Sequence, residues 1–263
     1  MTSGIIGRRK AWNFAVLDIG KQYGNMNTAA AFYPKEMTLE ERQKDFLERR
    51  IKLGEQFGFD GRKMFMADQT TKDGSYRVID QDLVSSVDDG WKVDTKEDIL
   101  MITTDTPKVV IGHPVADCPV VMMRDVKKGV TAIGHCSAEM IDKKLPMMIA
   151  DAMLREFGCR DQDIYTYVSA CAGEDSYTYD IYPKWATDEK VWEGNIIEKE
   201  KQYYINLRKA IAEQLEERNI NNWIMNREDT ITDPNYYSNS AAFHGNEEKA
   251  GRNFAGAYYK VLK

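Results

Sequence analysis

Val109–Met123 reads VVIGHPVADCPVVMM and Val130–Cys136 reads VTAIGHC. Short continuous apolar runs such as these are typical of strands that are buried on both faces. The thiol of Cys118 interrupts the first run, and the imidazole of His135 comes at the end of the second. Rigid elements can aim side chains at one point, so we interpret Cys118 and His135 as a functional pair. The alternative is that Cys118 is a small core residue and His135 a hydrogen-bonded core histidine.

Composition limits the classes of protein to which the chain can belong. Its 263 residues, with 43% hydrophobic and 30% charged side chains, predict a globular protein, and we expect one domain over residues 1–263. A net charge of −6 and a pI near 5.3 argue against nucleic acid or an anionic membrane as partner. No run of 18 apolar residues is present. The four cysteines show no regular framework, which predicts reduced thiols in a cytoplasmic protein.

The remaining periodicity predicts a mixture of helices and strands. A capping box at Thr38–Glu41 marks the start of one helix, and Leu145–Phe157 has helical spacing before Gly158. A third helix is predicted from about Lys199 to Arg218, with Tyr204 facing inward. Predicted strands are Met64–Ala67, Tyr76–Ile79, Ile164–Val168 and Asn253–Val261. Because helices and strands do not alternate strictly, we predict an α+β fold, a sandwich with mixed sheets.

Several common site motifs are absent from the sequence. It contains no phosphate-binding P-loop, no dinucleotide-binding G-x-G-x-x-G after a strand, no H-E-x-x-H and no G-x-S-x-G. The chain has three histidines, His113, His135 and His244, so a histidine-based metal site has at most three such ligands.

The motifs that are present resemble, in order, those of the YfiH-like laccase-domain family, also called the polyphenol oxidase family. Val115–Val120 (VADCPV) resembles the family's T-A-D-C segment, and Gly134–Met140 (GHCSAEM) is similar to its H-A-G-W-R-G segment. Further matches are Ser169–Tyr177, Ile205–Leu207, Thr230–Ser238 and Gly251–Arg252. Each match is weak by itself, but together they span most of the chain. The resemblance implies the family's mixed α/β sandwich, which is similar to that of cysteine hydrolases.

The resemblance also implies a metal site for zinc or copper. Two of the family's three ligands match Cys118 and His135, whereas the third falls at Thr71, which lacks an imidazole. Three protein ligands plus one open position would make a catalytic zinc site, so the missing ligand weakens the expected metal binding. Asp68, His113 or His244 is a possible replacement. On a regular strand, however, His113 and Cys118 would face opposite sides.

The activity implied by the resemblance is metal-assisted purine nucleoside phosphorolysis or adenosine deamination. The partners would then be a purine nucleoside and phosphate, with Arg252 and Tyr177 as substrate-binding residues. The family's arginine in H-A-G-W-R-G falls at Glu139, which would repel phosphate, and its paired C-terminal arginines fall at Ala242 and Phe243. These departures predict a weakened activity.

Two alternatives to this enzyme remain open. Cys118 can act as a nucleophile activated by His135 without any metal, in which case its pKa would be depressed. The chain can also have lost catalysis and serve as a nucleoside-binding or interaction protein. In all three interpretations we expect Asp117 to be a structural hydrogen-bond acceptor.

Overall fold

The structure is a computed structural model that describes residues 14–67 and 71–260. In these residues the strands are β1 (Phe14–Ile19), β2 (Met64–Met66), β3 (Tyr76–Val78), β4 (Ile99–Thr103), β5 (Val110–Val115), β6 (Val120–Asp125), β7 (Val130–His135), β8 (Ile164–Val168), β9 (Thr178–Tyr179), β10 (Ile196–Lys199), β11 (Gln202–Ile205), β12 (Asn222–Met225) and β13 (Asn253–Tyr259). The helices are α1 (Leu39–Phe57), α2 (Gln81–Ser86), α3 (Ala138–Asp142), α4 (Leu145–Phe157), α5 (Glu189–Trp192), α6 (Leu207–Glu217) and α7 (Asn239–Phe243).

Two sheets pack face to face between helices, and a third, smaller sheet contains β10, β11 and β9. One large sheet has the order β1-β13-β5-β2 and the other the order β12-β8-β6-β7-β4-β3. Both are mixed, since β2 runs parallel to β5, β3 to β4 and β12 to β8, while the other pairs are antiparallel. The prediction of an α+β fold with mixed sheets is confirmed.

The apolar runs of β5, β6 and β7 are explained by burial on both faces. Met122 and Ile133 belong to the cluster between the two large sheets, together with Ile111. Val121 and Ala132, one residue earlier on their strands, face the cluster that contains α3, α4 and α6. Successive side chains of a strand point to opposite faces, so only a continuous apolar run fills both layers.

Helix α1 covers the outer face of the four-stranded sheet. It begins at the predicted capping box, in which Thr38 and Glu41 each accept the other's backbone N–H, and it ends at Gly58, whose φ is 87°. Arg50, on the buried face of α1, donates two hydrogen bonds of 2.8 Å to the carboxylate of Asp89. This pair ties α1 to the loop before residue 90.

The predicted third helix is wrong in its first half. Residues 196–205 form the β10–β11 hairpin, so Tyr204 lies in a strand, and α6 begins only at Leu207 after its cap Asn206. The apolar spacing that indicated a helix belongs to α6 from Leu207 onward, where Ile211 and Leu215 are buried. Upstream of it, the strand pairing with Thr178–Tyr179 determines the conformation. The four predicted strands are confirmed to within a residue or two, as β2, β3, β8 and β13. Val261, the predicted end of the last one, lies outside the described residues.

No helix in the described part of the chain is long and apolar enough to cross a membrane.

Candidate functional site

Strand pairing brings together the residues that the sequence singled out. Cys118 lies in the turn between β5 and β6, and Val120, two residues later, is paired with His135 at the end of β7. Val115, at the end of β5, is paired with Asn253, the first residue of β13. Arg252 therefore lies beside the turn that carries Cys118. Three strand ends from distant parts of the sequence thus converge on one point.

Asp117 holds the turn in shape. Its φ of 78° is in the left-handed region, so the chain departs from strand geometry at this residue. Its carboxylate accepts hydrogen bonds from the Thr230 hydroxyl at 2.8 Å and from the Ser240 N–H at 2.6 Å. The structure thus places Asp117 in the structural role that the sequence predicted, and it binds the turn to α7.

The converging strand ends form the floor of a cavity of about 480 Å³. Cys118, His135, Tyr177 and Arg252, the four predicted site residues, all line it, and so does His244. Ligand cavities for small molecules are commonly about 300–1,000 Å³, so this one can hold a nucleoside. Sequence reasoning missed Asp180, Gln202 and Ser240, which also line the cavity. Phe243, which stands at the position of a family arginine, lines it as well.

The imidazole of His113 contacts that of His135, with ring centroids 4.3 Å apart. The expected opposition of His113 and Cys118 assumed a regular strand, but β5 ends at Val115 and the turn at Asp117 changes the direction of the chain. His113 extends toward β7 from the facing sheet, and its Nδ1 lies 2.9 Å from the carbonyl of Pro114.

The pKa values at the cavity floor favour neutral groups. Burial raises the pKa of the Cys118 thiol to about 12, and the Asp117 carboxylate adds to this effect. Burial also lowers the pKa of His135 well below its usual value, with contributions from His113 and Arg252. The predicted depression of the Cys118 pKa is therefore wrong, because loss of hydration outweighs the attraction of Arg252 for a thiolate.

This reversal predicts slow alkylation of Cys118. With a pKa of about 12, its thiolate fraction at pH 7 should be on the order of 10³-fold below that of a free thiol, and iodoacetamide labelling should be slower in proportion. Peptide mapping of natively labelled protein over pH 6–10 measures it, with Cys118→Ser as the control for the buried Cys136, Cys159 and Cys171. Labelling of Cys118 that is half complete below pH 8.5 would contradict the prediction.

Two positions at which the sequence departs from the family pattern lie away from the cavity lining. The Thr71 hydroxyl donates to Asp98, whose carboxylate also accepts the backbone N–H groups of Lys72, Asp73 and Gly74. Glu139 forms an ion pair with Lys72 at 2.7 Å. The expectation that Glu139 repels phosphate in the site is therefore wrong, because this carboxylate is held at the surface by lysine.

The described residues do not form the metal site that the sequence resemblance implies. Within residues 14–67 and 71–260, no group of three His, Cys, Asp or Glu side chains is placed to hold a metal ion. Cys118 and His135 remain as two potential donors. Neither His113, although it contacts His135, nor His244, whose Nδ1 lies 2.8 Å from the Ser240 carbonyl, completes a group of three with them. Asp68 lies outside the described residues. Two donors fall short of the three that catalytic zinc sites use.

Comparison with known proteins agrees with the arrangement of these elements. Residues 21–260 match the family described as multi-copper polyphenol oxidoreductase laccase. The chain belongs to this family. Among curated proteins, no sequence matches this laccase-domain chain.

The laccase-domain chain is also similar in fold to solved structures. It resembles hypothetical protein YfiH of Bacillus licheniformis at a TM-score of 0.70 and 16% identity, covering 94% of this chain and 91% of that one. It resembles YlmD of Geobacillus stearothermophilus at a TM-score of 0.73 and 14% identity, and the match covers 94% of this chain and 91% of YlmD. A Neisseria meningitidis protein matches at a TM-score of 0.67 and 11% identity, with 95% of each chain covered. At these identities the likeness establishes the fold.

Proposed function

We propose that this laccase-domain protein cleaves purine nucleosides by phosphorolysis in the cavity above Cys118. The observation that carries the proposal is that Arg252 lies in one nucleoside-sized cavity with Cys118, His135 and Tyr177. A guanidinium fits the oxygens of phosphate, and aromatic side chains suit a flat base. The motif order of the sequence points to the same substrate class.

Arg252 provides the anion site. One of its guanidinium nitrogens donates to the Gly251 carbonyl at 2.8 Å, and the cation lies 5.0 Å from the centre of the Phe32 ring, so its position is fixed. Because Cys118 keeps its proton and His135 is neutral, neither group cancels or duplicates the charge of Arg252. The remaining guanidinium N–H groups are thus suited to bind a phosphate dianion.

The small sheet and the residues that flank β9 provide another wall of the cavity. The hydroxyl groups of Tyr177 and Tyr179 lie 2.9 Å apart, and Gln202 donates to the Asp180 carboxylate at 3.2 Å. Amide and carboxylate groups can hydrogen-bond ribose hydroxyls or the edge of a base. We assign this wall to the nucleoside.

Phosphorolysis makes modest demands on such a site. A phosphate oxygen forms a bond to the anomeric carbon of the ribose while the glycosidic C–N bond breaks. The electron pair of that bond leaves with the base, which takes a proton from solvent at the cavity mouth. The protein therefore has to align two substrates and hold the phosphate charge, which positioning and electrostatics supply. Deamination instead requires an activated water, and a thiol nucleophile requires a lower pKa than Cys118 has.

Incubation of the purified protein with inosine and phosphate tests the proposal. We expect free hypoxanthine and ribose 1-phosphate in equal amounts, and no hypoxanthine when phosphate is omitted. Chromatography of the products measures both, and protein with Arg252→Ala, which removes the proposed anion site, controls for contaminating phosphorylase. Inosine formed from adenosine would indicate deamination, and nucleoside binding without any product would indicate a binding protein. Free cysteines and these substrates are consistent with the cytoplasmic location that we propose.

A further inference from the structure

Phe243 is an unusually exposed aromatic residue at the cavity. Its side chain is 84% exposed, the largest fraction among the exposed large apolar side chains of the described residues, and it lines the same cavity as Cys118 and Arg252. Burial of a phenylalanine side chain is favourable, and Phe243, with most of its surface in contact with solvent, gains little of this stabilisation. A ligand that covers the ring recovers it.

The position of Phe243 is fixed relative to Cys118. Phe243 is the last residue of α7, whose N-terminal cap Ser238 accepts the N–H of Ala241 at 3.0 Å. Ser240, two residues after this cap, donates its backbone N–H to the carboxylate of Asp117, the neighbour of Cys118. The phenyl ring is therefore carried by a short helix that is hydrogen-bonded to the turn at the cavity floor.

The cavity thus has aromatic side chains from two separate elements. Tyr179 belongs to β9 of the small sheet and Tyr177 directly precedes this strand, and their ring centroids are 5.5 Å apart in an edge-to-face arrangement. Phe243 belongs to α7. Of these three, Phe243 has no polar atom, so its ring can offer a ligand only an apolar face. Such a face favours planar heteroaromatic rings over sugars or aliphatic groups.

We propose that Phe243 is the residue that selects a nucleobase, by stacking on its ring, while the phosphate end of the reaction lies at Arg252. This inference rests on the proposed function and adds a specificity residue to it. Because a phenyl ring reads no hydrogen-bonding pattern, Phe243 should favour adenine, hypoxanthine and guanine alike over a ligand with no base. Selection among the three purines would then depend on Asp180 and Gln202 at the other wall.

Calorimetric binding without phosphate tests the inference, because no phosphorolysis occurs under that condition. The probes are inosine and methyl β-ribofuranoside, which has the sugar but no base. Phe243→Ala should weaken inosine binding by about 10- to 100-fold, the usual cost of removing a base-stacking aromatic residue, and leave methyl riboside binding unchanged. Phe243→Tyr should retain the affinity for inosine. Leu154→Ala, at an exposed apolar residue of α4, is the matched control.

Each outcome separates the inference from the proposed function. Unchanged inosine binding by Phe243→Ala overturns the inference, and so does an equal loss for both probes, which would mean that Phe243 only shapes α7. Binding of inosine that depends on Phe243, without hypoxanthine on addition of phosphate, supports the inference and overturns phosphorolysis. A wild-type protein that binds no inosine overturns both. Circular dichroism of each variant checks that it is folded.

Discussion

Replacement of Arg252 with alanine is expected to lower kcat/KM for inosine phosphorolysis by about 10²–10³-fold, the usual effect of removing one charge-stabilising donor from an active site. Arg252 is the cation positioned beside Cys118 and held by Gly251 and Phe32. The loss should appear in KM for phosphate as well as in kcat, because the guanidinium binds phosphate before the reaction and stabilises its charge during it. Initial rates at varied phosphate concentration measure both parameters.

Arg252→Lys and Arg62→Ala are the controls for this prediction. Lysine keeps the charge but not the planar pair of donors, so it should recover part of the lost rate. Arg62 is exposed and lies outside the cavity lining, and its replacement should leave both parameters unchanged. If Arg252→Ala retained the wild-type KM for phosphate, the anion site would have to lie elsewhere.

The second large effect concerns the stability of the fold. Replacement of Arg50 with methionine is expected to lower the free energy of unfolding by about 3–5 kcal/mol, because it leaves the carboxylate of Asp89 buried without its partner. Arg50 is 2% exposed and Asp89 is 8% exposed, and the guanidinium also lies 4.8 Å from the centre of the Phe46 ring. The free energy of unfolding of a native domain is only about 5–15 kcal/mol, so the variant should unfold at a much lower urea concentration than the wild type.

The pH dependence of that difference identifies its cause. Burial alone would raise the pKa of Asp89, but the hydrogen bonds and charge of Arg50 outweigh it and lower the pKa. A carboxyl with a lowered pKa in the folded state contributes its full stabilisation above its unfolded pKa of about 3.9. The contribution is lost as the pH falls through the folded pKa. The difference between wild type and Arg50→Met should therefore be constant near pH 7 and shrink in strong acid.

An exposed ion pair serves as the control for stability. Lys190 and Glu217 lie 3.0 Å apart with side chains 69% and 43% exposed, and Lys190→Met should change the free energy of unfolding by less than about 1 kcal/mol. A similarly small change for Arg50→Met would mean that the buried pair contributes little beyond packing.

The sequence was sufficient to predict features that depend on local chemistry or on a repeating pattern. The start of α1 follows from the reciprocal hydrogen bonds of Thr38 and Glu41, which need only four consecutive residues. The buried strands β5, β6 and β7 follow from apolar side chains at successive positions, because a strand with apolar side chains on both faces is stable only when both faces are buried. The convergence of Cys118 and His135 on one cavity followed from their places at the ends of these runs.

Only the tertiary structure decided what surrounds those residues. The β10–β11 hairpin forms because β11 also pairs with β9, a contact that the local spacing around Tyr204 does not show. The raised pKa of Cys118 comes from burial among distant segments, so no motif could reveal its sign. Thr71 and Glu139 occupy family site positions in the sequence, yet they are bound by Asp98 and Lys72 outside the cavity lining. Phe243 enters the cavity because Asp117 holds α7 across 123 residues of sequence, and a long-range hydrogen bond of this kind leaves no periodic signal.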